Sequence, residues 1–199
     1  MKFSEYLFLI KSDLYRYYGD ISYSSFQRAM RNEPGYVFSF WMRTYAFITT
    51  KGFGRIFLCF VIRHIFTHFT YKFGISIRVS TDIGSGFYIG HFGGIVVSNE
   101  VIIGKNCNIS QGVTIGQSNR GARKGVPVIG DNVYIGPGAK IFGRIRIGNN
   151  AAIGANCVVT KDVPDNAVVV GIPGRIISHE GSAGYVNRND YERCLTKRK

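Results

Sequence analysis

The stretch IGDNVYIGPGAKIFGRIRIGNNAAIGANCVVT, residues 129–160, decides the fold. An aliphatic residue returns at every sixth position along it: Ile129, Ile135, Ile141, Ile147, Ile153 and Val159. Toward the N-terminus the column continues as Ile103, Ile109 and Ile115, and before that as Ile77, Ile83, Ile89 and Ile95. A small slip separates those two earlier runs, and a basic loop separates them from the last. A period of six matches neither the period of about 3.6 of an amphipathic helix nor long strand alternation, so the unit is a very short strand plus a turn. The Gly, Ser or Asn after each aliphatic residue (IGKNCN, IGDNVY, IGNNAA, IGANCV) provides a corner that turns tightly. Three such sides close a triangular coil of about eighteen residues, stacked on the next at about 4.8 Å. The chain therefore divides into an N-terminal region, 1–74, patterned for helices; a solenoid, 75–174, with a loop at 116–128; and a tail, 175–199.

The corners account for the 25 glycines without low complexity. The balance of 25 Lys and Arg against 12 Asp and Glu favours an anionic partner: a nucleotide-like cofactor, an acidic polymer or an acidic membrane surface. Nucleic acid is disfavoured, because the cations are scattered over terminus, loop and tail and no recognised nucleic-acid module appears. Cys59, Cys107, Cys157 and Cys194 show no metal or redox spacing, and Cys107 and Cys157 take the hexapeptide place where a small apolar residue suits the wall. The opening MKFSEYLFLIKSDLYRYYGD carries acids and aromatics early and has no small-residue cleavage site, so it does not read as a signal peptide and the expected location is the cytoplasm.

In the N-terminal region Leu7, Ile10 and Leu14 share a helical face, and Asn32-Glu33-Pro34-Gly35 breaks the run before a second helical stretch. From Tyr36 to Phe73 there is no acid, only Arg43, Lys51, Arg55, Arg63 and Lys72 among many aromatics. The uncharged run Ile56 to Ile62 is far shorter than the roughly twenty residues a membrane span needs. Two readings stay open: an amphipathic helix in peripheral contact with an anionic membrane, or a helical cap on the solenoid or in an oligomer. The tail loses the period, and Asn187 to Asp190 and Lys197-Arg198-Lys199 are expected to be frayed and solvated, with no chemistry.

One histidine, His91 in IGHFGGIVVSN, lies inside the repeat, beside Gly93 and Gly94, which let another group approach closely. Imidazole is suited to taking a proton from a hydroxyl near neutral pH, so His91 is the candidate general base, with a wall histidine as the alternative. His64 and His68 have the spacing of a metal pair but no third ligand nearby, so no metal is expected. Gly-rich phosphate motifs of the P-loop or Rossmann type are absent. The loop GQSNRGARKGVPV carries Arg120, Arg123 and Lys124, and insertions in a solenoid map to its functional face.

The segment IGHFGGIVVSNEVIIGKNCNISQGVTIG, the loop, and IGDNVYIGPGAKIFGRIRIGNNAAIGANCVVTKDVPDNAVVVGIPGRII resemble the hexapeptide-repeat acyltransferases. The resemblance is to the branch that holds serine acetyltransferases and the sugar O-acetyltransferases of surface-polysaccharide clusters, and KSDLYRYYGD is similar to that branch's helical leader. It implies a left-handed parallel β-helix, against the usual right-handed crossover, a homotrimer with active sites in the clefts between subunits, and acetyl-CoA as donor. By the same resemblance His91 is the catalytic base; Gly116, Pro137 and Ala155 line the pantetheine channel; and Lys161 and Arg175 meet the nucleotide phosphates, which call for cations. In serine acetyltransferases an Arg-His pair precedes a loop Pro and handles the amino acid; here Gly125 and Val126 stand before Pro127. The acid that precedes their histidine is Gly90, which leaves Asp13, Asp20 and Glu100 as candidates to orient His91. These departures favour a sugar hydroxyl as acceptor, in capsule, O-antigen or exopolysaccharide synthesis, with Arg120, Arg123 and Lys124 meeting an acidic glycan. The alternatives are serine O-acetylation in cysteine biosynthesis and a non-catalytic solenoid scaffold.

Overall fold

The computed structural model describes residues 1–50 and 56–196; Lys51, Arg55 and the closing Lys197, Arg198 and Lys199 lie outside them. The repeat folds as a three-faced parallel β-solenoid. The first face holds the strands Ile75–Ile77, Ile95–Val97, Thr114–Gly116, Lys140–Phe142 and Val158–Val159. On the second lie Asp82–Ile83, Ile102–Ile103, Val128–Ile129 and Arg146–Ile147. The third has Tyr88–Ile89, Asn108–Ile109, Tyr134–Ile135, Ala152–Ile153 and Val168–Val170, and an antiparallel strand, Arg175–Ser178, closes it. This is the architecture of the left-handed β-helix that the hexapeptide period implied. The aliphatic column is buried along its length, and further inward stacks are filled by Cys107 with Val133 and Ala151 and by Cys157 with Val113 and Ala139. Burial pushes the Cys107 thiol up to about 12, so it is an inert wall residue.

The register corrects one detail of the periodicity. On the first face Ile77 pairs with Val97, Val97 with Ile115 and Ile115 with Ile141, so Val97, not Ile95, continues the column; Ile95 pairs with Ile75. On the third face Ile89 pairs with Ile109 and Ile109 with Ile135. The corner between Ile89 and Val97 is therefore two residues longer than the one between Ile109 and Ile115. The slip lies at the His91 corner, upstream of where the spacing of isoleucines alone puts it.

Four helices cover the open N-terminal end: α1 (Phe3–Tyr18), α2 (Tyr23–Asn32), α3 (Pro34–Thr49) and α4 (Ile56–Phe73). Val37, Phe38, Met42, Phe66 and Phe73 run into the same apolar core as the solenoid isoleucines. A polar clamp fixes the contact. Asp13 accepts from Ser39 Oγ at 2.5 Å, Arg43 Nε at 3.2 Å and the Phe87 N–H at 2.8 Å, while Arg43 donates to the carbonyls of Ile83 and Gly84. Such a pair is tolerated in the interior because all three guanidinium nitrogens and both carboxylate oxygens have hydrogen-bond partners. The capping reading of the helices is thus what the inner face does. The outer face of α4 leaves Phe57, Phe60 and Tyr71 exposed at 80%, 58% and 81%. Among the described residues no helix is long and apolar enough to cross a membrane.

Residues 187–190 are exposed to solvent as expected, but the described tail around them is docked and not frayed. Ser182, Val186 and Tyr191 are buried; Tyr191 Oη lies 2.8 Å from Ser85 Oγ; and a short helix, α5 (Tyr191–Thr196), packs beside α1. A hexapeptide period reports only residues inside the prism, so a strap bound to its outside by a few aromatic and polar anchors leaves no periodic trace.

Candidate active site

The corner between the third and first faces is built from residues with almost no side chain. Gly94, Gly112 and Gly138 stack there with φ of 65°, 72° and 72°, in the left-handed region that favours glycine. A Cβ on Gly94 or Gly112 would stand 3.5 or 3.4 Å from the next glycine's Cα. The Gly112 N–H donates to the Gly93 carbonyl at 2.7 Å, the Gly138 N–H to that of Gln111 at 2.9 Å, and the Asn156 N–H to that of Pro137 at 2.8 Å. The result is a bare backbone groove from Gly94 to Gly138, closed in the next coil by the Asn156 side chain.

His91 sits where the two extra residues swell this corner. Its ring is exposed, and Gly93, with φ of 106°, has open space beyond its Cα. On the third-face register His91 aligns with Gln111, Pro137 and Ala155 in successive coils, since Ile89, Ile109, Ile135 and Ile153 are partners two positions earlier. Two of the expected channel positions therefore share the histidine's corner. Gln111 was not foreseen: its Oε1 is buried without a hydrogen-bond partner, a free acceptor on the groove floor where an amide N–H of a thin ligand would be satisfied. A glutamine at a wall position carries no signal in the six-residue period, so only the stacking exposes it. The groove that a Cβ would fill and this orphaned acceptor fit the pantetheine arm of acetyl-CoA.

Gly116 closes the strand Thr114–Gly116, where a Cβ would press within 2.5 Å of the Phe142 ring. Lys161 and Arg175 line one open cavity of about 510 Å³ at the far end of the solenoid, with Pro173, Gly174 and Ile176. That brings two cations to one wall, suited to phosphates.

The three acids considered as orienters of His91 are engaged elsewhere or apart. Asp13 is locked in the buried clamp. Asp20 accepts from Ser22 and Ser25 at the start of α2, which holds its carboxyl below the ordinary range, chiefly through the Ser22 hydroxyl. Glu100 is exposed on the turn after the strand Ile95–Val97. None is hydrogen-bonded to His91.

The loop folds as a short antiparallel excursion in which Ser118 and Gly125 exchange backbone bonds at 2.9 and 3.0 Å. Arg123 makes an exposed ion pair, its Nη1 3.1 Å from Asp162 Oδ2. Arg120 and Lys124 are exposed. Gly125 has φ of 131°, and the stem of Arg144 runs alongside it, 3.1 Å from where a Cβ would be. Among the described residues no three His, Cys, Asp or Glu groups lie together as a metal site.

A hexapeptide solenoid with a lone histidine over a bare groove defines the class: a hexapeptide-repeat transferase. Residues 127–161 match the family described as bacterial transferase hexapeptide (six repeats). The chain is 44% identical over 108 residues to serine acetyltransferase of Synechococcus elongatus, covering 54% of this chain and 44% of that one. Its structure superposes on serine acetyltransferase from Brucella abortus strain S19 with a TM-score of 0.74 at 30% identity, over 90% of this chain and 71% of that one. The Neisseria gonorrhoeae serine acetyltransferase in complex with serine gives a TM-score of 0.70 at 28% identity, over 88% of this chain and 70% of that one. The chain belongs to the hexapeptide-repeat transferases, and within them to the family of the serine acetyltransferases. It spans about half the length of the curated relatives it matches.

These relatives overturn the sugar acceptor. The polysaccharide expectation rested on the missing Arg-His pair and on the loop cations; the curated relatives and solved structures that the chain matches are serine acetyltransferases. A two-residue departure in one loop was given more weight than the shared frame around it.

Proposed function

We propose that this chain transfers the acetyl group of acetyl-CoA to the hydroxyl of L-serine, with His91 as general base, in a homotrimer whose clefts hold the sites. The observation that carries the reading is the exposed histidine raised by two extra residues over the bare Gly94-Gly112-Gly138 groove. The imidazole takes the serine hydroxyl proton as the oxygen attacks the thioester carbonyl; the C–S bond breaks, and the imidazolium returns the proton to the departing thiolate. Proton transfer of this kind contributes about 10² to 10⁴ in rate, and alignment of the two substrates in the groove contributes the rest. Gly116, Pro137, Ala155 and Gln111 bound the pantetheine path, and Lys161 and Arg175 hold the phosphates. Arg144, flanking Gly125, is the guanidinium we assign to the serine carboxylate, which needs a cation once it leaves water. The coenzyme A complex of the Brucella enzyme and the serine complex of the Neisseria enzyme support donor and acceptor by family.

Thiol release from acetyl-CoA, followed with and without L-serine, tests this. Serine-dependent release that disappears in His91→Ala is the expected result; release indifferent to serine rejects the acceptor, and an inert protein points to a scaffold.

A second reading rests on α4. Its exposed Phe57, Phe60 and Tyr71 share one face with His64 and His68, and no acid occurs from residue 34 to 81. That combination supports a cytoplasmic enzyme in peripheral contact with an anionic bilayer. Flotation with phosphatidylglycerol vesicles at low salt checks it; a protein that stays in the soluble fraction rejects it.

A further inference from the structure

On the outside of the third face, a cavity of about 230 Å³ is lined by Arg16, Tyr88, Asn108, Tyr185, Asn187 and Arg188. Two of the six are arginines. Arg16, on α1, is only 4% exposed. Its Nε donates to the Asn187 carbonyl at 2.8 Å, its Nη1 to that of Gly86 at 2.7 Å and its Nη2 to Asn108 Oδ1 at 2.7 Å. All three acceptors are neutral, and a guanidinium has five N–H groups. No carboxylate lies within ion-pair distance of Arg16 or Arg188 among the described residues.

The acids nearby are committed. Asp13 faces Arg43, Ser39 and the Phe87 N–H; Glu33 accepts from Tyr18 Oη at 2.9 Å; Asp190 accepts from Tyr15 Oη at 3.1 Å. A buried cation without a counter-ion is costly unless something supplies the opposite charge. Arg188 adds a second oddity. Five other non-glycine residues of left-handed φ are all asparagine, the residue that tolerates it, whereas Arg188 adopts φ of 54° at the cavity wall, donating to the Tyr17 carbonyl. Strained backbone of this kind persists where the surroundings hold it, and it marks ligand sites more often than plain surface. The remaining walls suit a small ligand: Tyr88 lies under Arg16, 5.8 Å from guanidinium carbon to ring centroid, and Tyr185 is held by stacking on Tyr134 at 4.4 Å. Asn108 is fixed at both ends, its Nδ2 donating to the Tyr185 carbonyl at 2.9 Å.

We propose that this cavity is a binding site for a small oxyanion, a phosphate or a carboxylate, held between Arg16 and Arg188 and separate from the His91 groove. The anion supplies the charge Arg16 lacks. Because Tyr185, Asn187 and Arg188 belong to the C-terminal strap while Arg16 belongs to α1, the anion also fastens the strap to the helical cap.

Calorimetric titration of the full chain with inorganic phosphate, and separately with acetate, at constant ionic strength set by chloride, tests the site. Saturable binding of one probe at one site per chain is expected, weakened about tenfold or more in Arg188→Gln and retained in Lys161→Gln, which excludes the cofactor wall as its seat. Which probe binds names the source of the oxyanion. Hydrogen exchange on residues 181–190 should slow with the bound probe. Arg188→Gln is preferred to Arg16 variants because its change leaves the buried network intact; an unchanged thermal midpoint without probe verifies that. No saturable binding of either probe, or binding that Arg188→Gln leaves unchanged, overturns the proposal.

Discussion

Two corners of one prism solve the same turn in opposite ways. Between the second and third faces stand Asn106, Asn132, Asn150 and Asn166, each at φ between 55° and 60°. Their side chains hydrogen-bond in file at 2.9, 3.0 and 3.2 Å. Between the third and first faces the stack is Gly94, Gly112 and Gly138, bare of side chains until Asn156, at φ of 54°, closes it beyond Gly138. Both residue types accept the left-handed φ that the corner demands, so backbone geometry does not decide between them. What differs is the space left over. The asparagine corner fills it with a ladder that ties the coils together, and the glycine corner leaves it open beside His91. On the proposed function, stability and chemistry fall to different edges of the same repeat.

That contrast can be broken experimentally, beginning where the effect is greatest. His91→Ala should lower kcat by about 10² to 10⁴ and leave the thermal midpoint unchanged, because the ring is exposed; steady-state thiol release with circular dichroism checks both. Next, Lys161→Ala combined with Arg175→Ala should raise the KM for acetyl-CoA. The loss is about 1.5–3 kcal/mol of charge-assisted bonding per contact, read from the same assay with serine saturating. The two corners are then set against each other. Asn132→Ala severs the ladder on both sides and should cost about 1–3 kcal/mol of stability with KM and kcat held, measured by urea unfolding beside kinetics. Gly112→Ala adds a methyl to the open groove and should raise the KM for acetyl-CoA about tenfold, with about 1–2 kcal/mol of backbone strain.

The smallest effect belongs to the third corner, where Arg123 meets Asp162. The Arg146 N–H first, and Arg123 with it, hold the Asp162 carboxyl below its ordinary value of 3.8. A depressed carboxylate stabilises the fold above its unfolded-state value and loses that contribution as pH falls through the lower folded value. Being exposed, the pair contributes about 0–1 kcal/mol. Asp162→Asn should therefore match the parent in solutions acid enough to protonate the folded carboxyl and fall slightly short at neutral pH, in denaturation midpoints taken from acid to neutral pH.

Much of the fold was legible because its rule is periodic. Ile129 to Val159 recur without error, and the coil, its faces and the loop at 116–128 follow from them. Ile95 misled for a physical reason: two apolar residues, Ile95 and Val97, both point inward on one strand, so spacing alone takes the nearer one and displaces the slip. His91 was legible as the lone histidine of the repeat, but its elevation by two residues required the register of two faces. The Asp13-Arg43 clamp, the free Gln111 acceptor and the Arg16 cavity depend on contacts between residues far apart in the chain, which no local pattern encodes. The acceptor was misjudged because absence of a loop Arg-His pair was read as absence of any cation, while Arg144 stands beside that loop in space.

On the proposed function, the glycine corner, not the asparagine corner, receives the donor. Amide hydrogen exchange with and without coenzyme A measures this directly. Slowed exchange is predicted at residues 92–94, 111–113, 138 and 139, with no change at Asn106, Asn132 and Asn150. Protection confined to the asparagine corner, or none at either, would contradict it.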